Sequence, residues 1–286
     1  MAAPADAAVL VGLGSELDLP VVEQAAQEAA GHGRPLHLLH MFDWRAAFAA
    51  DTVAAPRDQA EELITRAAQL AHQTEPGLTV RGEIVESAML ATLIRRSEVA
   101  FLLAVGDSGM AGSGQSVPAG TPAVQLAARA GCPLLVVRRE PPPPGPVLVG
   151  VDGSPSSHLA LRWAVECAAR RDARLLALRV VEYDEDTDAV AEQLSEALAQ
   201  HTGRHSSVPI ECRVVRGDPA DVLIDTSRSA QVALVAARGD EPGRAMLGAV
   251  AQSLLYHSPA PVVVVRGLAE APLTGPGARP ARDHQP

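Results

Sequence analysis

Lysine is absent from this 286-residue chain: all 24 basic residues are arginine. That excludes a phosphate-loop lysine, a Schiff-base lysine for pyridoxal phosphate and the strand lysine of kinase chemistry. Aromatic residues make up only 2%, so any core must be built from Ala, Val and Leu. Positive charge is also short, with 34 acidic residues giving a net charge of −10, and a pI of 5.4 argues against a nucleic-acid or anionic-membrane surface. Cys132, Cys167 and Cys212 are scattered and lack CxxC spacing, which argues against a disulfide scaffold or a zinc site and for a reducing compartment. No apolar run approaches the roughly 18 residues of a membrane span. The first residues lack the basic start and long apolar run of a signal peptide, so a soluble cytoplasmic protein is expected.

What the chain does have is enough apolar residue for a core, 47% against 20% charged. At roughly 150 residues per domain, its length suits two domains. The stretch Pro141-Pro142-Pro143-Pro144-Gly145-Pro146 lies near the midpoint and fits neither a helix nor a central strand. The segments flanking it repeat. Val9-Leu10-Val11-Gly12-Leu13 returns 138 residues later as Val147-Leu148-Val149-Gly150-Val151. Pro133-Leu134-Leu135-Val136-Val137-Arg138 returns 128 residues later as Pro261-Val262-Val263-Val264-Val265-Arg266. The expected division is a first domain over 1–140, a linker over 141–146, a second domain over 147–266 and a disordered tail rich in Pro, Gly and Ala over 267–286.

Each half alternates continuous apolar runs with amphipathic stretches. Strands are expected at Val9–Leu13, Leu36–Met41, Leu78–Val85, Val99–Val105 and Leu134–Val137, then at Val147–Val151, Leu175–Val181, Ile210–Val215, Val232–Ala236 and Val262–Val265. Asp18 with Pro20 and Ser154 with Pro155 mark the first helix of each half. Helices are also expected at Ala220–Arg228 and Ala249–His257. Parallel neighbours need right-handed crossovers, so the fold class is α/β: two doubly wound five-stranded parallel-sheet domains in tandem. Ligands of such sheets bind beyond the carboxyl ends of the strands, which draws attention to the loops after strands one and four.

After strand one of the second half comes Asp152-Gly153-Ser154. A carboxylate there can accept from a nucleoside, or Asp152 and Ser154 can simply cap the next helix. After strand four of the first half, four glycines fall within nine residues, Gly106, Gly109, Gly112 and Gly114, followed by Gly120-Thr121. Glycines let backbone amides approach a phosphate, and a Thr at a helix start adds a hydroxyl. A flexible surface loop has the same composition.

Taken in order, V-G-V-D-G-S over 149–154, Arg216-Gly217-Asp218-Pro219, the Gly-rich segment and A-P-V-V-V-V-R over 260–266 resemble the universal stress protein family, in a tandem form spanning about Val9 to Arg266. The resemblance implies an adenine-nucleotide α-hydrolase-like fold with five parallel strands. One family branch binds ATP through a strand-one Asp and a G-x-x-G-(nine residues)-G-[ST] loop, and another lacks the loop and does not. The resemblance also implies strand-five pairing, here internal, and does not exclude a further homodimer.

Both halves depart from the ATP-binding pattern. In the first, Gly106, Gly109, Gly120 and Thr121 match the loop with ten intervening residues, and Leu13 runs into Gly14-Ser15 with no strand-one Asp, leaving Glu16 or Asp18 as substitutes. In the second, Asp152 is present, but the loop reads Ala236-Ala237-Arg238-Gly239, eight residues, then Gly248-Ala249. Losing one hydroxyl bond costs on the order of 1 kcal/mol, whereas an Ala in place of Gly can block backbone approach. Hence the first half is the better ATP candidate. The expected function is a non-enzymatic stress-response protein acting through unidentified protein partners. An ATP-hydrolysing or phosphoryl-transferring enzyme and a binding module with two decayed sites are the rivals.

Other signals are discounted. His201 and His205 have helical metal-ligand spacing but no acidic third ligand, and no metal is expected. His37 and His40 fall on opposite strand faces. The acidic run over 184–188 lacks the Gly and terminal Glu of a calcium loop and reads as a helix start. Arg95-Arg96 and Arg170-Arg171 read as solvated helix faces.

Overall fold

The structure is a computed structural model and describes residues 4, 6–42, 54–86, 88–107, 121–181, 185–203, 205, 207–238 and 247–266. The first half contains β1 (Val9–Leu13), α1 (Leu19–Gly31), β2 (Leu36–Met41), α2 (Ala54–Thr74), β3 (Val80–Val85), α3 (Met89–Ser97), β4 (Leu102–Gly106), α4 (Pro122–Arg129) and β5 (Leu134–Val137). The second contains β6 (Val147–Gly150), α5 (Pro155–Arg170), β7 (Leu175–Val181), α6 (Thr187–Ala199), β8 (Ile210–Arg216), α7 (Pro219–Ser227), β9 (Val232–Ala236), α8 (Ala249–His257) and β10 (Val262–Val265). The strands form one ten-stranded sheet in the order β3-β2-β1-β4-β5-β10-β9-β6-β7-β8. Pairing is parallel within each half and antiparallel at the β5–β10 seam, where Val262, Val263 and Val264 stand against Val136, Leu135 and Leu134.

The central strands are buried on both faces, which is why their sequences are apolar without alternation. Odd and even strand positions feed two hydrophobic layers, and each layer contains residues of both halves. Ala, Val and Leu supply nearly all of it, as the scarcity of aromatics requires. Burial pushes the Cys132 and Cys167 thiols up to about 12 and about 11, so both stay protonated near neutrality.

The ends of β4, β6, β8 and α7 shift by one residue from the sequence reading, and three larger differences have a structural cause. β4 begins at Leu102 because Val99 sits in the turn that closes α3, its amide donating to the Arg96 carbonyl, and is 67% exposed. β3 begins at Val80, and Leu78 lies in the turn before it. At the start of α1, Ser15 caps a short 3-10 turn (Glu16–Asp18), and Asp18 bonds backward instead of capping the helix. The proline stretch is docked on the second half: the Gly145 carbonyl accepts from Gln231 Nε2 at 2.7 Å, and the Gln231 amide donates to the Pro146 carbonyl.

Arg170 and Arg171 do not form a solvated helix face but are largely buried. They close on Glu28 of the first half, Arg170 Nη2 to Oε2 at 2.9 Å and Arg171 Nη2 to Oε1 at 2.8 Å. Burial alone would raise the Glu28 carboxyl, but the charges of Arg171 and Arg170 outweigh it and hold it below its ordinary value. Beside this cluster His32, Phe101 and Trp163 stack across the domain boundary. Which face of α5 meets the other domain depends on tertiary docking, so a local pattern could not show it. Arg96 likewise forks onto Glu83 of β3 at 2.7 and 2.5 Å, and His37 Nε2 lies 3.2 Å from the same carboxylate.

Candidate nucleotide site

The two halves present different parts of a nucleotide site. In the second half, Gly150 is the last residue in register, the Val151 amide after it bonds to the Leu178 carbonyl, and Asp152 stands exposed just past Val151. Asp152 Oδ1 accepts from the Ser154 amide at 3.0 Å and from the Ser154 hydroxyl at 2.6 Å. Ser154 in turn caps α5, its Oγ accepting from the Ser157 amide at 3.2 Å. Partial burial would raise the Asp152 carboxyl, but the Ser154 bonds, Ser157 and Arg179 bring it below its ordinary value, so it is anionic at neutral pH. Both Ser154 bonds fall on Oδ1. Gly153 has φ +81°, so the turn favours glycine for its conformation, and a Cβ there would lie 3.2 Å from the movable Arg179 Nη1.

The equivalent position in the first half is Gly14, and neither proposed substitute replaces its missing carboxylate. Glu16 pairs with Arg66 on the surface. Asp18 is buried, and its Oδ2 accepts from the Gly14 amide at 2.8 Å and the Ser15 amide at 3.0 Å, so it closes its own turn. The strand end is instead sealed by His40, whose Nδ1 lies 2.9 Å from the Leu13 carbonyl.

The phosphate end shows the reverse balance. Gly106 is the last residue of β4, opposite Val137, and the next amide, that of Asp107, donates to the Val137 carbonyl. Thr121 is the N-cap of α4 and is 8% exposed, and its hydroxyl Oγ1 has no hydrogen-bond partner among the described residues. A buried hydroxyl left unpaired costs roughly 1–3 kcal/mol, and at a helix N-terminus the partner best suited to it is an anion. In the second half, counting back 128 residues from strand five, Ala249 stands where Thr121 stands, and the residue opposite Val265 is Ala236 where the first half has Gly106. Gly248 caps α8 in extended conformation, its amide donating to the Ala237 carbonyl at 2.8 Å. A Cβ at Gly248 would make only ordinary contact, so nothing in its surroundings demands glycine. Gly109, Gly120 and Gly239 lie outside the described residues.

Because β5 and β10 run antiparallel, the carboxyl edges of the two halves open in opposite directions. Gly106 and Thr121 share one edge and Asp152 and Gly248 the other, so the complementary parts do not combine into one site. Beside Asp152 a cleft of about 270 Å³ runs between Val151, His158, Arg179 and the Val190–Leu194 face of α6. Arg179 and the buried Asp107 are two charged residues of these edges that sequence reasoning missed. Nothing local marks Arg179, whereas Asp107 directly follows a residue of the Gly-rich segment. Among the described residues no cluster of three metal-ligating side chains occurs. α6 ends at Ala199, so His201 and His205 do not share a helix. No helix among the described residues is long and apolar enough to cross a membrane.

Comparison with known proteins gives a consistent picture. The sequence profile described as "Universal stress protein family" matches residues 7–138 and again 145–266. A universal stress protein of Mycobacterium tuberculosis is 30% identical over 292 residues, covering 90% of this chain and 96% of the relative. A second from the same organism is 33% identical over 271 residues, covering 86% and 91%. Among solved structures, a universal stress protein from Archaeoglobus fulgidus superposes with a TM-score of 0.68 at 17% identity, covering 90% of this chain and 96% of that one.

Proposed function

The chain belongs to the universal stress protein family as a tandem, two-domain member, and from that premise we propose that it is a non-enzymatic stress-response protein that binds ATP or ADP in its first half. The observation that carries this reading is the Thr121 hydroxyl, buried and unpartnered at the N-terminus of α4, on the same edge as Gly106. A phosphate oxygen there would accept that hydroxyl in line with the helix dipole. The second half keeps the nucleoside-facing Asp152 but has Ala249 and Ala236 where the hydroxyl and the first loop glycine would stand. Against turnover, the chain has no lysine to stabilise a transferring phosphoryl group.

The test begins with protein purified without added nucleotide. Denaturing it and chromatographing the supernatant should release adenine nucleotide, and calorimetric titration of the emptied protein with ATP should show about one site. Thr121→Val should weaken that site several-fold, the equivalent of roughly 1 kcal/mol for one hydrogen bond, while Asp152→Asn should leave it unchanged. Folded protein with neither bound nucleotide nor heat of binding would overturn the reading. Loss of affinity in Asp152→Asn alone would move the site to the second half, and turnover above a mock-purified control would favour an enzyme.

A further inference from the structure

Each half ends on an arginine, and each arginine holds the last helix of the other half. Arg138, buried just past β5, donates through Nη2 to the Leu254 carbonyl at 3.0 Å and the Leu255 carbonyl at 2.9 Å, and through Nε to the Ala260 carbonyl at 3.3 Å. Two of these acceptors lie in the last turns of α8, where the dipole favours a cation, and the Leu254 carbonyl also accepts from the Ser258 amide. Arg266, 128 residues further on, donates through Nη1 to the Ala127 carbonyl of α4 at 2.7 Å, and Ala127 stands 128 residues before Leu255. The exchange follows from the antiparallel seam, which sets the carboxyl edge of one half level with the amino edge of the other.

Asp107 breaks this symmetry. It is buried immediately after Gly106, and its Oδ2 lies 4.0 Å from Arg138 Nη1. The corresponding residue of the second half, following Ala236, is Ala237. A buried carboxylate on this edge opposes the approach of an anion. The cation that offsets it comes from a residue whose other bonds are made to the second half.

We propose that Arg138 is a positioning residue that makes anion binding at the first-half edge and the ordering of α8 in the second half depend on one another. The inference rests on reading the first half as the nucleotide site. A ligand that favours one arrangement of Arg138 shifts the α8 end by the same factor, because linkage is reciprocal.

The experiment uses the full chain with Arg138→Gln, Asp107→Asn and the double variant. ATP affinity is read by calorimetry and α8 protection by amide hydrogen exchange. Arg138→Gln, which leaves Asp107 uncompensated, should weaken ATP at least tenfold, and adding Asp107→Asn should recover most of that loss. A merely structural Arg138 would leave the double variant as weak as the single one, and that result, or a change within twofold in folded Arg138→Gln, overturns the proposal. If Arg138→Gln does not fold, Arg138→Lys, which keeps the charge but cannot make the fork, should bind ATP with intermediate affinity and protect α8 less. Wild-type affinity with wild-type protection in that variant would also overturn it. If the wild type takes up no ATP, the preceding functional reading fails by itself. The link is then decided without nucleotide: Asp107→Asn should alter exchange at the α8 end across the seam, and unchanged protection would overturn it.

Discussion

Replacing Glu28 with Ala should cost the protein about 3 kcal/mol of stability. The carboxylate side chain is 10% exposed and each of its two arginines 20%, so all three charges have left most of their water. Removing the anion leaves Arg170 and Arg171 beside one another with no compensating charge, and breaking buried pairs in this way typically costs about 3–5 kcal/mol. The lower end applies here, since both guanidinium groups keep some contact with solvent. His32 gives no relief, because burial and the Arg170 charge push its pKa down to about 4 and it is neutral near pH 7. Urea denaturation followed by far-ultraviolet circular dichroism measures the loss as a shift in midpoint. Arg57→Ala, at the exposed Arg57–Glu61 pair, serves as the surface comparison and should change stability by no more than about 1 kcal/mol. Glu28→Met combined with Arg170→Met and Arg171→Met should restore much of the loss, because an apolar cluster carries no desolvation debt. A Glu28→Ala effect no larger than that of Arg57→Ala would refute the reasoning.

Two further outcomes follow from described contacts. His32 titrates at about 4 when folded against 6.5 when unfolded, so the unfolded chain takes up the proton first as pH falls. Stability is then complete above pH 6.5 and declines towards pH 4, by up to about 3 kcal/mol, and Glu28, held low by its arginines, adds loss at still lower pH. His32→Leu should flatten the profile between those limits, and a wild-type profile already flat there would contradict it. Gly145→Ala should destabilise by about 1–3 kcal/mol, since its Cβ would meet the Ser229 carbonyl oxygen at 2.0 Å, a backbone atom that cannot swing aside. Gly203→Ala, with nothing within 4 Å, is the matched control, and equal melting temperatures for the two variants would count against the docked linker.

Most of the sheet could be read from sequence because buried parallel strands leave continuous apolar runs between helical stripes, and because the same run occurs twice. β5 and β10 repeat one another, closing arginine included, and that arginine was visible without its role. The errors sit where tertiary docking decides. Val99 is as apolar as its neighbours but lies in a turn, and Arg170 and Arg171 show the pattern of a solvated helix end although another domain covers them. At the candidate site, composition and the family resemblance pointed to Gly106, Thr121 and Asp152. Only side-chain geometry separates their conditions: a hydroxyl without a partner among the described residues, a carboxylate that accepts from Ser154, and an Asp18 folded back onto its own turn.

The covalent tie between the halves changes what the β5–β10 seam has to satisfy. A seam between separate copies weakens on dilution and must be self-complementary, with every residue serving on both sides of a twofold axis. Joined through Pro141–Pro146, the partners meet at a fixed and high effective concentration, so the pairing holds however scarce the protein is. Self-complementarity is no longer needed either, and Leu-Leu-Val faces Val-Val-Val across the ladder. Mutations can therefore accumulate on one side alone, and one edge has an Asp after its first strand where the other has a Gly.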